Sequence, residues 1–283
     1  MIPLSFDYVA PDSLDAAVAA LAEAGDEAKV LAGGQSLLPV LRLRMAAPGV
    51  LVDLRKITEL HGVHADGDDI VVGAMTTHAE VIENPLLAEH VALLTKTART
   101  VADPQVRHRG TLGGALAHAD PAGDLGAVAV ALDATFEIAG PNGRRTVPAS
   151  AFFTDYFTTA LAEDEILTGI RFPSYAGWGA HYEKFHLVAQ SWSIVSVAAA
   201  VRVDGGTVAE ARVGLTNMGP VPIRASAVEA ALVGGPATAE AITRAAQAAA
   251  DGTSPVDDTS AAADYREHLA RVLTGRAVLA AVG

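Results

Sequence analysis

The chain holds 283 residues, 51% hydrophobic and 19% charged, which is room for about two domains with sizeable cores and too apolar for a disordered or fibrous chain. Twenty basic against thirty-three acidic residues leave a net charge of −13, which repels nucleic acid and anionic membranes; the densest basic stretches, Arg42 with Arg44 and Arg107 to Arg109, are short. Cysteine is absent, which excludes disulfides, thiolate nucleophiles, cysteine-ligated zinc and iron–sulfur clusters held by this chain, so redox chemistry here needs a bound cofactor.

The first residues carry neither a basic stretch nor a long apolar one, and the longest apolar runs, 125–132 and 197–201, fall far short of the ~18 residues of a membrane span. A cytoplasmic location is the expectation. Ser13 as N-cap, then Leu14, Ala17, Val18 and Leu21 at helical spacing, with Gly25 as the stop, predict a helix over 14–24. Lys29 to Leu31 reads as a short strand running into Ala32-Gly33-Gly34-Gln35-Ser36, followed by a short helix from Leu37 towards Met45. Strands are expected at 50–54 and 70–73, and helices near 77–83 and 86–99. From Ala102 to Asp124 the periodicity is lost, and a loop of that length inside a compact domain is usually functional or disordered. A helix from Asp120-Pro121 to Leu132 follows, then strands at 135–139, 144–147 and 165–172. Pro173 to Gly179, rich in Gly, Pro and Ser, is the expected domain boundary. Beyond it come antiparallel strands at 182–186, 193–203 and 208–216, and Ala-rich helices near 224–233, 237–250 and 260–281. An α/β first part thus precedes an α+β second part.

Two segments can carry chemistry. Ala32-Gly33-Gly34-Gln35-Ser36 lies between a strand and a helix; paired glycines bring the backbone close to a ligand and expose consecutive amides that can cradle a pyrophosphate, or else form a tight turn with no ligand. Neither GxGxxG nor GxxxxGK[ST] is present, so a Rossmann fold or a P-loop is not supported. The second segment, Thr111-Leu112-Gly113-Gly114-Ala115, precedes Asp120 and Asp124. Those carboxylates could accept from ribose or ribityl hydroxyls, although Asp120 also suits the N-cap of the helix beginning at Pro121. A long dinucleotide needs several anchors, and amides offset its phosphates without lysine. Nine histidines are present, but pairs such as His61 with His64, or His118 with Asp120, lack the third ligand a metal needs, so no metal site is expected.

These segments, in this order, with Ile2-Pro3, Phe6-Asp7-Tyr8, Leu37-Leu38-Pro39, Val52-Asp53-Leu54, Gly73 to His78, Ala102 to Arg107 and Gly214 to Asn217, resemble the FAD-binding medium subunits of molybdenum hydroxylases, among them those of carbon monoxide dehydrogenases and N-heterocycle hydroxylases. The resemblance implies an α+β fold: a two-subdomain FAD-binding domain of the vanillyl-alcohol-oxidase-like (PCMH) type over 1–175, split near residue 57, then a C-terminal domain of antiparallel sheet plus helices over 178–283. It implies that Ala32, Gly33, Gly34, Gln35 and Ser36 hold the FAD diphosphate together with Thr111, Leu112, Gly113, Gly114 and Ala115. It further implies that Asp124, Leu167 and Lys184 contact the cofactor and that Trp192 shields its ring, although a buried tryptophan at a strand end is the alternative for Trp192.

Three departures stand out. Ala115 replaces a frequent Asn, which leaves only its backbone N–H; Gln35 replaces the His of carbon monoxide dehydrogenases; and Phe185 to Ser193 lacks the basic residue and Gly-Asp-aromatic run common after the lysine. The implied function is electron transfer through FAD, with no side chain of this chain acting as catalyst. The implied partners are a small [2Fe-2S] subunit and a large molybdopterin subunit, in a heterotrimer that can dimerise. A stand-alone flavoprotein oxidase or reductase and an FAD-less scaffold subunit are the rival readings.

Overall fold

A computed structural model describes residues 2–283. The first part of the chain forms β1 (Asp7–Val9), α1 (Leu14–Ala24), β2 (Ala28–Leu31), α2 (Leu37–Arg42), β3 (Val50–Asp53), β4 (Val63–Asp66), β5 (Asp69–Gly73), α3 (His78–Glu83), α4 (Pro85–His90) and α5 (Ala92–Ala98). It continues with α6 (Pro104–Arg107), α7 (Leu112–His118), α8 (Asp124–Ala131), β6 (Thr135–Gly140), β7 (Gly143–Pro148), α9 (Ala149–Phe152), β8 (Phe153–Asp155), β9 (Thr158–Thr159) and β10 (Ile166–Pro173). The remainder comprises β11 (Gly179–Phe185), β12 (Val195–Asp204), β13 (Thr207–Thr216), β14 (Ile223–Arg224), α10 (Ser226–Leu232), α11 (Ala239–Ala245) and α12 (Ala263–Val282).

Three larger sheets organise these elements, beside the two-stranded pair β8-β9. The first is a parallel trio in the order β1-β3-β2, whose apolar side chains Ala28 and Val52 pack with Leu14, Ala17 and Leu21 of α1. α1 starts where expected because the Ser13 hydroxyl accepts from the Ala16 amide at 3.3 Å. The second sheet is antiparallel, β4-β5-β10-β6-β7. The third is also antiparallel, β11-β12-β13-β14.

The third sheet is buried on both faces. Along β12, Val195, Val197, Ala199 and Val201 enter a core with Leu273, Ala277 and Val278 of α12, whereas Ala198 and Ala200 enter the core of helices α3, α4, α5, α7 and α8 and the second sheet. The period of two along a strand produces this split. Every residue of α8 is buried, Asp124 included although the other seven are apolar, and the helix lies so close to β13 that a Cβ on Gly214 would collide with the Ala127 carbonyl.

The stretch 102–124 departs from the expected loop. It contains α6, capped by Asp103 with Pro104 in its first turn, and α7, capped by the Thr111 hydroxyl on the Gly114 amide at 3.1 Å. Both are too short for a periodicity to register. The helix expected from Asp120 begins instead at Asp124: Asp120 Oδ1 accepts from the Ala122 amide at 2.9 Å and closes a local turn, so it is no helix cap. The helix expected over 86–99 is two helices, broken at Val91 (φ −136°, ψ 46°) with no glycine or proline to announce it. The last predicted helices are trimmed: 237–250 is α11 followed by a 3₁₀ turn, Ala246–Ala250.

Candidate functional site

The first glycine segment leaves β2 and enters α2. Gly34 has φ +75°, a left-handed conformation that glycine adopts without strain, and this lines up successive amides. Among the described residues, no protein acceptor takes the amides of Gly33, Gly34, Gln35 or Ser36. Gly34 contributes its carbonyl instead, which accepts from Leu38 at 3.0 Å, and the Gln35 side-chain amide turns back to the Gly33 carbonyl at 3.3 Å. Four consecutive free donors on a half-exposed loop fit a group rich in anionic oxygens.

The second segment is spent differently. Leu112 donates to the Thr76 carbonyl, Gly113 to that of Ala74, Gly114 to the Thr111 hydroxyl and Ala115 to the Thr111 carbonyl. Ala115 therefore has no free amide, contrary to the sequence reading, and its methyl group is exposed. What this segment does is support the first. A Cβ on Gly33 would collide with the Arg109 carbonyl and lie 2.8 Å from Gly110 Cα, and one on Gly114 would lie 3.2 Å from Ala32 Cβ. The first segment is thus in backbone contact with Arg109-Gly110, the two residues just ahead of the second, 76 residues or more away in sequence.

Asp124 and Lys184 meet each other. The Lys184 ammonium lies 2.7 Å from Asp124 Oδ2, with the two side chains 5% and 4% exposed. Oδ1 accepts from the Tyr182 phenol and from the Ser193 hydroxyl, both at 2.7 Å, and Ser196 donates on to Ser193 at 2.6 Å. Three of the roughly four acceptor positions of the carboxylate are therefore filled by the protein. Burial, reinforced by the Asp124 charge, drives the Tyr182 phenol well above its usual pKa and keeps it a donor. Sequence reasoning named Asp124 and Lys184 but missed Tyr182 and Ser193. Tyr182 shares a strand face with Lys184 at a spacing of two, a usable sign, whereas nothing in the sequence links Ser193 to a residue 69 positions away.

Leu167 is buried in β10 and pairs with Ile138 of β6, so its side chain belongs to the core. The register shift just after it sends the Thr168 carbonyl to the Ala74 amide at 3.0 Å, one hydrogen bond from Gly113. Trp192 is 55% exposed on the β11–β12 loop, which rules out the buried-tryptophan alternative. His78 is buried beneath the second segment with Nδ1 unpartnered; burial, and then the nearby Arg107, lower its pKa to about 4. No group of His, Asp and Glu among the described residues could hold a metal ion, and no described helix is long and apolar enough to cross a membrane.

Residues 4–175 match the family described as the FAD binding domain in molybdopterin dehydrogenase, and residues 180–281 match the CO dehydrogenase flavoprotein C-terminal domain. The chain belongs to this family of FAD-binding medium subunits. The medium subunit is 42% identical to the carbon monoxide dehydrogenase medium chain of Hydrogenophaga pseudoflava over 99% of this chain and 98% of that one. It is 34% identical to the nicotine 6-hydroxylase medium subunit of Paenarthrobacter nicotinovorans, over 97% and 96% of the two chains. Among solved structures it superposes on carbon monoxide dehydrogenase from H. pseudoflava with a TM-score of 0.97 and 44% identity, covering 100% of this chain and 99% of that one. Quinoline 2-oxidoreductase from Pseudomonas putida 86 gives 0.95 and 34%, covering 99% and 98%. The expected fold and family therefore hold, the protein is an oxidoreductase subunit, and its cofactor is FAD.

Proposed function

We propose that this medium subunit carries electrons through FAD within a three-part molybdenum hydroxylase, taking them from [2Fe-2S] clusters of a small partner subunit and passing them to an external acceptor. Substrate oxidation then belongs to a molybdopterin-bearing large subunit. The observation that carries the reading is the row of four unpaired amides from Gly33 to Ser36, braced from behind by the second glycine segment. In this reading the Gly33, Gly34, Gln35 and Ser36 amides hold the diphosphate and the Ser36 hydroxyl adds a donor. Ala32, Thr111, Leu112, Gly113, Gly114 and Ala115 fix that loop in place, and Asp124, Lys184 and Trp192 border the remainder of the cofactor, with Leu167 behind them in the core. When bound, FAD accepts single electrons and releases pairs. The protein's own task is to anchor, orient and exclude water; no side chain here need transfer a proton.

Two measurements test this. FAD titrated into the purified chain should bind one to one, with affinity that falls when the first segment is altered. A reduced [2Fe-2S] partner should then bleach the bound flavin. A chain that takes up FAD and turns over a small organic substrate with no partner present would support a stand-alone flavoenzyme instead. A chain that takes up none would be a scaffold.

A further inference from the structure

The loop that joins β11 to β12 is anchored in an uncommon way. A single carboxylate, Asp124 at the start of α8, holds both of its feet: Lys184 just before the loop donates to Oδ2, and Ser193 at its far end donates to Oδ1, each at 2.7 Å. The Lys184 ammonium also reaches the Thr100 carbonyl at 3.2 Å, at the start of the stretch leading to the second glycine segment. The far foot is gripped again. The Asn217 side-chain amide donates to the carbonyls of Ser193 and Ile194 at 2.9 and 3.2 Å, and the buried Arg266 guanidinium donates to that of Ile194.

The tip is held by nothing comparable. Among the described residues its hydrogen bonds run only between Val188 and Ser191, and Leu187, Val188 and Trp192 stand 69%, 65% and 55% exposed. Fixed feet under a bare apolar tip describe a cover, not a disordered connection. The loop belongs by sequence to the C-terminal part of the chain, yet the carboxylate its two feet share sits on the FAD-binding part, so it is tied to both.

We infer that Asp124 is a positioning residue: through Lys184 and Ser193 its carboxylate sets the height and angle of the β11–β12 loop, and with it the packing of the loop's apolar tip on the flavin ring. This rests on the flavin reading above. A buried ion pair adds little net stability, so a gain in placement is what such a pair can supply.

Two variants test the inference, neither at a residue assigned to the cofactor. Ser193→Ala removes one foot's bond to Asp124. Asn217→Gly removes the second grip and keeps a backbone that already sits at φ +62°. Hydrogen exchange of amides 187–192 should rise about tenfold in Ser193→Ala, the effect of one lost hydrogen bond, and at least as much in Asn217→Gly, which loses two, while FAD stays bound in both. In a Trp178→Phe background, acrylamide should quench Trp192 more strongly, and emission from the bound flavin should increase as the indole leaves it. Ser193→Thr, which restores the hydroxyl, should return both signals. Wild-type exchange and wild-type flavin emission in both variants, with FAD bound, would overturn the inference; a wild-type chain that binds no FAD would overturn the flavin reading instead. If Ser193→Ala loses its circular dichroism, Ser193→Gly, which removes the same hydroxyl from Asp124, decides in its place.

Discussion

Gly33→Ala isolates the contact between the two glycine segments. The added methyl would collide with the Arg109 carbonyl and lie 2.8 Å from Gly110 Cα, both of them backbone, so no side chain can swing aside. Relief requires the loops to part by about 1 Å, enough to take a hydrogen bond of ordinary length beyond reach. The four free amides from Gly33 to Ser36 move with the loop. A charge-assisted hydrogen bond contributes about 1.5–3 kcal/mol, so the loss of two weakens FAD binding by about 3–6 kcal/mol, roughly a hundred- to ten-thousandfold in Kd. The overpacking itself costs about 1–3 kcal/mol of stability. Calorimetric titration of FAD into the apo chain measures the first, and urea unfolding without FAD measures the second. An alanine variant that binds FAD within threefold of wild type would refute the claim that the second segment holds the first in its binding geometry. Gly114→Ala, which meets only the Thr111 hydroxyl at 2.8 Å and Ala32 Cβ at 3.2 Å, should lose less.

Gly275→Ala is the matching control: its Cβ would meet Ala246 Cβ at an ordinary 3.7 Å inside α12, so stability should rise by about 0.5–1 kcal/mol in thermal unfolding and FAD affinity should not change. Lys184→Met leaves the buried Asp124 charge without its cation and should cost about 3–5 kcal/mol in urea unfolding. A loss below 1 kcal/mol would mean that the pair is not desolvated as its burial indicates. His78 has a folded-state pKa near 4, below its usual 6.5, so the unfolded chain takes up this proton first as the pH falls. Stability is therefore lost between pH 6.5 and 4, by roughly 3 kcal/mol in all, and stability curves measured at pH 7 and pH 5 should lie closer together in His78→Gln.

Where elements are long or sharply capped, the chain announces them. Ser13 and Gly25 bracket α1, and the apolar run 197–201, with β-branched Val195, Val197 and Val201, marks β12. Short helices at 104–107 and 112–118 fall below the length at which a period registers, although Asp103-Pro104 was a readable start. The break at Val91 comes with no glycine or proline that the sequence could have shown. For the site, both glycine segments are legible as pieces. Their division of labour is not, since which amides remain free depends on the distant carbonyls of Ala74 and Thr76. The meeting of Asp124 with Lys184, Tyr182 and Ser193 is likewise a product of tertiary packing across 58 to 69 residues.

The alternating sides of β12 bear on how such proteins can be taken apart or recombined. Ala198 and Ala200 press on helices of the first part while their neighbours press on α12, so a fragment cut near residue 176 would leave an apolar wound on each piece. The two sequence families meet there, but folding does not divide there, and the intact chain should melt in one cooperative step. A chimera that joins this N-terminal part to the C-terminal part of a relative would have to match small side chains at 198 and 200 to the surface of α8. Sequence identity elsewhere would not rescue a bulky residue at either position.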